Sequence, residues 1–257
     1  MSSGLFGRIN TLRPNGWASA SRRVTAICRN FLVASVLVAA SDKLAYGAFE
    51  TVDTALVLAI DVSQSVNDER FALQMLSIAS AFHDTEVQGT IIAGPHGAML
   101  VTLVQWSSRP FVSIPWTLIT SPADADAFAD RVAGTLRADR QFQHTCLSVA
   151  LREIEGTILP VLPMPAIHTI IDVSGDGIDS CHPDRAVDAI RDKLVAGGAT
   201  INGLPIPEGD QVWLLEEWYR DHVIGGPGAI LVPARSYADV KRAMRQKLLL
   251  ETSLNYR

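Results

Sequence analysis

The run Ala55-Leu56-Val57-Leu58-Ala59-Ile60 is followed at alternate positions by Asp61, Ser63 and Ser65. Six consecutive apolar residues with no polar face predict a strand buried on both sides, as in a parallel sheet covered by helices. The change at Asp61 matters chemically, because open α/β sheets place ligand sites at the carboxyl ends of their strands. Here that end carries a carboxylate and two hydroxyls. An all-oxygen donor set suits a hard divalent cation such as Mg²⁺, held directly or through water. The local alternative is that Ser65 or Asn67 only caps the helix that follows.

The downstream pattern keeps alternating. Val66 to His83 has helical apolar spacing, with Asp68 and Glu69 in its first turn. After a turn at Gly94-Pro95-His96-Gly97, Met99 to Trp106 and Phe111 to Ile114 read as strands close enough for a hairpin, hence one antiparallel strand. Ser121-Pro122-Ala123-Asp124 opens a helix to about Leu136, and Arg137 to His144 is a polar loop ending at Thr145. Cys146 to Ile158 is helical in pattern, and Ile167 to Val173 is a strand discharging into Ser174-Gly175-Asp176-Gly177. A helix over Pro183 to Ala196, a strand over Thr200 to Leu204, a helix over Val212 to His222, a last strand over Ala229 to Val232 and a closing helix over Ser236 to Leu250 complete the chain. This order predicts a single doubly wound, mostly parallel sheet with helices on both faces and one antiparallel edge strand, in one domain over residues 48–257.

The first 41 residues carry five arginines and no acidic residue, and lead into the ten-residue, mostly apolar stretch Phe31 to Ala40. That is short for a bilayer span and fits the apolar core of a signal peptide over residues 1–47, with Ala45-Tyr46-Gly47 as a small-residue cleavage site. An uncleaved anchor is the competing reading. Ser21-Arg22-Arg23 suggests the twin-arginine route beside the Sec route, which points to a periplasmic or secreted bacterial protein. The whole chain has 22 Lys and Arg against 27 Asp and Glu; losing five Arg, Lys43 and Asp42 leaves 16 against 26, a net charge of −10. An acidic domain argues against nucleic acid or anionic membrane surfaces as primary partners, and against stable membrane insertion after processing.

Asp61-Val62-Ser63-Gln64-Ser65 resembles the D-x-S-x-S signature of the von Willebrand factor type A (vWA) domain, whose metal-ion-dependent adhesion site adds a Thr and an Asp from two later loops. Thr145 and Asp176 stand in the corresponding loops, in chain order. The resemblance implies Ser63, Ser65 and Thr145 as direct ligands, and Asp61 and Asp176 as ligands acting largely through water. It implies Mg²⁺, or Mn²⁺ or Ca²⁺, as the ion, and a protein partner presenting Asp or Glu. Two carboxylates against one divalent ion leave roughly zero local charge, so the ion still attracts a partner carboxylate. Ile171 to Gly177 and Val223 to Ala229 resemble a group of exported bacterial vWA-like proteins of unassigned function. Gln64 departs from the Gly common at that position, and His144 from the small residue usual before the Thr.

Rival readings remain on the sequence: a metal-dependent hydrolase with His144 or His182 as base, and a structural module with a vestigial metal site. No convincing catalytic constellation appears. Neither G-x-G-x-x-G after the first strand nor G-x-S-x-G occurs, and Gly225-Gly226-Pro227-Gly228 lacks the Lys-Ser/Thr of a phosphate loop and reads as a turn. Asp172, inside a strand, reads as a structural carboxylate satisfied by loop amides or hydroxyls. Loss of Cys28 with the signal leaves Cys146 and Cys181, each near a ligand that the resemblance implies, and predicts a disulfide between the two loops. A zinc site from His144, Cys146, Cys181 and His182 is the alternative.

Overall fold

The central strand β1 (Val52–Asp61) is buried along its whole length. β2 (Met99–Trp106), β3 (Pro110–Ile119), β4 (Ala166–Gly175) and β5 (Ala199–Pro205) complete a five-stranded sheet of order β3-β2-β1-β4-β5. The computed structural model describes residues 49–138, 144–181, 186–207 and 212–254. β1 pairs in parallel with β2 and β4, and β4 with β5; β3 alone runs antiparallel, on β2. The register sets Asp61 opposite Trp106 and Ile60 opposite Ser174, so the loops leaving β1 and β4 are neighbours.

Alternation along β1 sends its side chains to two cores, as a doubly covered strand requires. Leu56, Leu58 and Ile60 pack on α1 (Asp68–Phe82), α2 (Thr85–Ile92), α3 (Pro122–Ala133) and the closing helix α7 (Val240–Leu254). Val57 and Ala59 pack on α4 (Leu147–Glu153), α5 (Ala186–Ala196) and α6 (Val212–Trp218). Full burial of each large aliphatic is worth roughly 1.5 to 3 kcal/mol. Asn67 caps α1 by accepting from the Arg70 amide at 2.9 Å, so the residues between Asp61 and Asn67 stay out of the helix and remain free to form a site. Among the described residues, no helix is long and apolar enough to cross a membrane.

Several elements differ from the pattern. α2 was not expected, although Asp84 caps it through the Glu86 and Val87 amides. α3 stops at Ala133, before Gly134, rather than at Leu136. The helix expected to Ile158 ends at Glu153 and continues as a π turn (Ile154–Ile158), and α6 likewise passes into a π turn (Tyr219–Val223). The strand expected at Ala229 to Val232 is not formed: only isolated bridges join Ile201 to Gly225 and Gly203 to Leu231. Gly226 and Gly228 have φ of +95° and +69°, Pro227 and Pro233 have no amide to donate, and the Asn202 side chain takes the Ile230 amide at 2.9 Å. The start of the helix expected from Pro183 lies outside the described residues.

Asp172 also needs correction. It is buried, but its partner is the Lys247 ammonium on α7, which also donates to Glu251 Oε1 at 2.6 Å. Asn202 Nδ2 donates to the same Glu251 oxygen at 2.7 Å. Burial works against the Lys247 charge, and the two carboxylates more than offset it, leaving its pKa raised. Burial first and Asp172 second push the Glu251 pKa well up.

Candidate metal site

Asp61 is the last residue of β1 and fully buried; its Oδ1 accepts the Ser63 amide at 2.7 Å, which folds the chain back into a tight turn. Ser63 Oγ then stands 3.3 Å from Ser65 Oγ, and Thr145 Oγ1 donates to Ser63 Oγ at 3.3 Å. Ser65 Oγ donates to Asp176 Oδ1 at 2.5 Å. The structure thus brings Ser63, Ser65, Thr145 and Asp176 into one chain of oxygen contacts, with Asp61 directly beneath. A Cβ on Gly177 would lie 3.2 Å from Thr145 Oγ1, so the residue after Asp176 keeps the loops close.

The electrostatics of this cluster are one-sided. Asp61 Oδ2 is buried with no hydrogen-bond partner, and burial, then the charge of Asp176, push the Asp61 pKa up to about 7. A cation would relieve both effects. The donors are hydroxyls and carboxylates, which match Mg²⁺, Mn²⁺ or Ca²⁺ in kind. Among the described residues, no group of three or more His, Cys, Asp or Glu is arranged to hold a metal, so any site here depends on hydroxyls.

Other residues hold the cluster in place. Tyr237 Oη donates to Asp176 Oδ2 at 2.9 Å, and burial first, then the charge of Asp176, raise the tyrosine pKa. Arg70 donates to the Ser65 carbonyl at 2.5 Å, lies 3.8 Å from Asp176 Oδ2 and stacks 5.0 Å over the Tyr237 ring. Arg137 Nη2 donates to the Val62 and Ser63 carbonyls at 2.9 and 3.0 Å, clamping the first loop from outside. The Thr145 and Asp176 loops are stitched together three times. The Ser180 amide donates to the Thr145 carbonyl at 2.8 Å, Asp179 caps α4 through the Ser148 amide at 3.1 Å, and Cys146 is bonded to Cys181 with Cα atoms 5.2 Å apart. Bonded to each other, the two sulfurs are not thiolate ligands for zinc. Of these supports the Cys146–Cys181 bond was expected from the sequence, and Asp179 had a local signal, a second carboxylate three residues after Asp176; Arg70, Arg137 and Tyr237 come from distant segments.

Gln64 is exposed and leaves the turn intact. The His144 amide donates to Ser108 Oγ at 3.0 Å, and His182 lies outside the described residues.

A family model described as "Protein of unknown function (DUF1194)" matches residues 51–255. The chain belongs to the DUF1194 family. Its fold is that of a vWA domain. The DUF1194 chain is similar to proximal thread matrix protein 1 from the mussel byssus, at TM-score 0.56 and 14% identity over 78% of this chain and 46% of that one. That protein has also been solved with a zinc-occupied MIDAS motif, at TM-score 0.54 and 15% identity over 78% and 46% of the two chains. A von Willebrand factor type A protein from Catenulispora acidiphila matches at TM-score 0.51 and 15% identity over 77% and 42%. The pilus adhesin SpaC from Lactobacillus rhamnosus GG matches at 0.56 and 13% over 77% and 31%. The DUF1194 chain therefore spans less than half the length of each of these proteins. No curated protein matches it in sequence.

Proposed function

We propose that residues 48–257 act outside the cytoplasm as a binding module, in which Asp61, Ser63, Ser65, Thr145 and Asp176 hold Mg²⁺, or alternatively Mn²⁺ or Ca²⁺. A bound ion supplies an electron-poor position for a carboxylate oxygen, and a protein partner docks there through Asp or Glu. The observation that carries this reading is Asp61 Oδ2, a fully buried carboxylate oxygen with no hydrogen-bond partner, in a loop cluster with a second carboxylate and three hydroxyls. Desolvated charge of that kind persists where a counter-charge compensates it. The zinc-occupied MIDAS of the byssal protein supports divalent-metal binding on this fold.

A protein rather than a small molecule is favoured by the apolar surface at the same end of the sheet. Of ten large apolar side chains exposed among the described residues, Phe111, Val112, Leu136, Ile178, Trp213 and Leu214 lie at or beside the carboxyl ends of the parallel strands. Exposed apolar surface bordering a polar centre is the anatomy of a protein interface. The net charge of −10 argues against nucleic acid. A hydroxyl-rich shell is a poor generator of metal-bound hydroxide, which disfavours the hydrolase.

The Arg-rich, acid-free start and the apolar run Phe31 to Ala40 support removal of residues 1–47 on export, by the Sec or twin-arginine route, to the periplasm or beyond. The Cys146–Cys181 bond fits an oxidising compartment. The test is retention of exported proteins by immobilised protein in Mg²⁺, with elution by EDTA. A partner that is released by EDTA and not retained by Asp61→Ala supports the module; partners held equally in EDTA or by Asp61→Ala contradict it.

A further inference from the structure

Tyr219 opens the π turn after α6, and its side chain is fully buried against the sheet. Two glycines on neighbouring strands make its slot. A Cβ on Gly203 of β5 would stand 2.9 Å from Tyr219 Cδ1, and one on Gly175 of β4 would stand 2.8 Å from Tyr219 Oη. Both distances are too short for real side chains, so glycine at each strand is what admits the ring. That same Cβ on Gly175 would stand 2.9 Å from Asp61 Oδ2. Phenol and carboxylate therefore approach one point, and their oxygens are no farther apart than those two distances laid end to end. That span is at most two hydrogen bonds through a single water.

Neither oxygen has a hydrogen-bond partner among the described residues, and both are fully buried. An unsatisfied buried hydroxyl destabilises the fold, whereas phenylalanine would fill the same slot without that cost. A single π turn sets the register that delivers this side chain, and such turns recur at functional sites. We propose that Tyr219 is a positioning residue of the cation site: its O–H is the donor that orients Asp61 Oδ2, directly or through one water, while the Ser63 amide holds Oδ1. The hydroxyl is thus matched to an ionised Asp61, the form that faces a cation. This inference rests on the cation reading above.

The test is Mg²⁺ calorimetry on the full-length wild type and Tyr219→Phe, with thermal melts of both in EDTA. Loss of an outer-shell partner typically weakens metal binding tenfold or more. Tyr219→Phe should bind Mg²⁺ about tenfold more weakly and melt in EDTA at the wild-type temperature or above, because the ring still fills its slot. Equal affinity overturns the inference. A fall in the EDTA melting temperature alongside the affinity also overturns it, since Tyr219 then serves packing alone. Absence of Mg²⁺ binding by the wild type overturns the cation reading itself and this inference with it.

Discussion

The Ser65 hydroxyl donates to Asp176 Oδ1 at 2.5 Å, joining residues 111 apart in the chain across the gap between the β1 and β4 loops. Tyr237 takes the other carboxylate oxygen, so Asp176 is oriented from two sides. Asp61, beneath it, has the Ser63 amide on one oxygen and nothing on the other. The site is built around two carboxylates that repel each other, and its stability should depend on what neutralises them.

That repulsion has a pH signature. The Asp61 pKa is raised in the folded metal-free protein, from an ordinary 3.8 to about 7. Stability from the protonated form is therefore fully present below about pH 4 and lost as pH rises through 7. In EDTA, this contribution should make the melting temperature fall between pH 5 and pH 8, and millimolar Mg²⁺ should restore more of it at pH 8 than at pH 5. Asp176→Asn removes the second-largest cause of the shift. It should raise the melting temperature in EDTA at pH 8 while weakening Mg²⁺ binding at least about tenfold, the usual loss for disturbed ligation. A variant lower in both would show that Asp176 holds the fold rather than an ion.

The sheet and the loop order were legible because β1 and β4 are apolar runs that end abruptly in oxygen-bearing residues, a pattern with few other solutions. Apart from the Cys146–Cys181 bond, the supports of the site were not. Arg70 and Tyr237 lie 167 residues apart yet share one contact, and Arg137 reads in sequence as one charge in a polar loop. The strand expected at Ala229 to Val232 failed because local glycines and prolines outweighed its apolar content. The partner of Asp172 was not legible either: helical spacing cannot tell a solvated cation from one that, like Lys247, meets Asp172 in the core.

Cys146 and Cys181 close a loop of 35 residues that contains the whole of β4. In the chain-entropy model such a bond contributes about 4 kcal/mol, less any native-state strain. Thiol titration of the denatured, unreduced full-length chain should find one free thiol, that of Cys28; three would show that the pair is not bonded. Reduction should lower the denaturation midpoint and weaken Mg²⁺ binding, because the bond ties the Thr145 loop to the Asp176 loop.

The buried Lys247 gives a prediction independent of the site. Lys247→Met leaves the Asp172 carboxylate desolvated and unpaired, a loss of about 3 to 5 kcal/mol. The double variant with Asp172→Asn should recover a substantial part of that in urea unfolding. A single variant within about 0.5 kcal/mol of wild type would show that the ion pair does not stabilise this fold.

The most direct test is Mg²⁺ and Mn²⁺ calorimetry on the full-length chain beside Asp61→Ala. The wild type should bind one equivalent and Asp61→Ala none, with the variant still showing a cooperative melt. Equal binding by both, or none by the wild type at millimolar metal, would contradict a cation site at Asp61, Ser63, Ser65, Thr145 and Asp176.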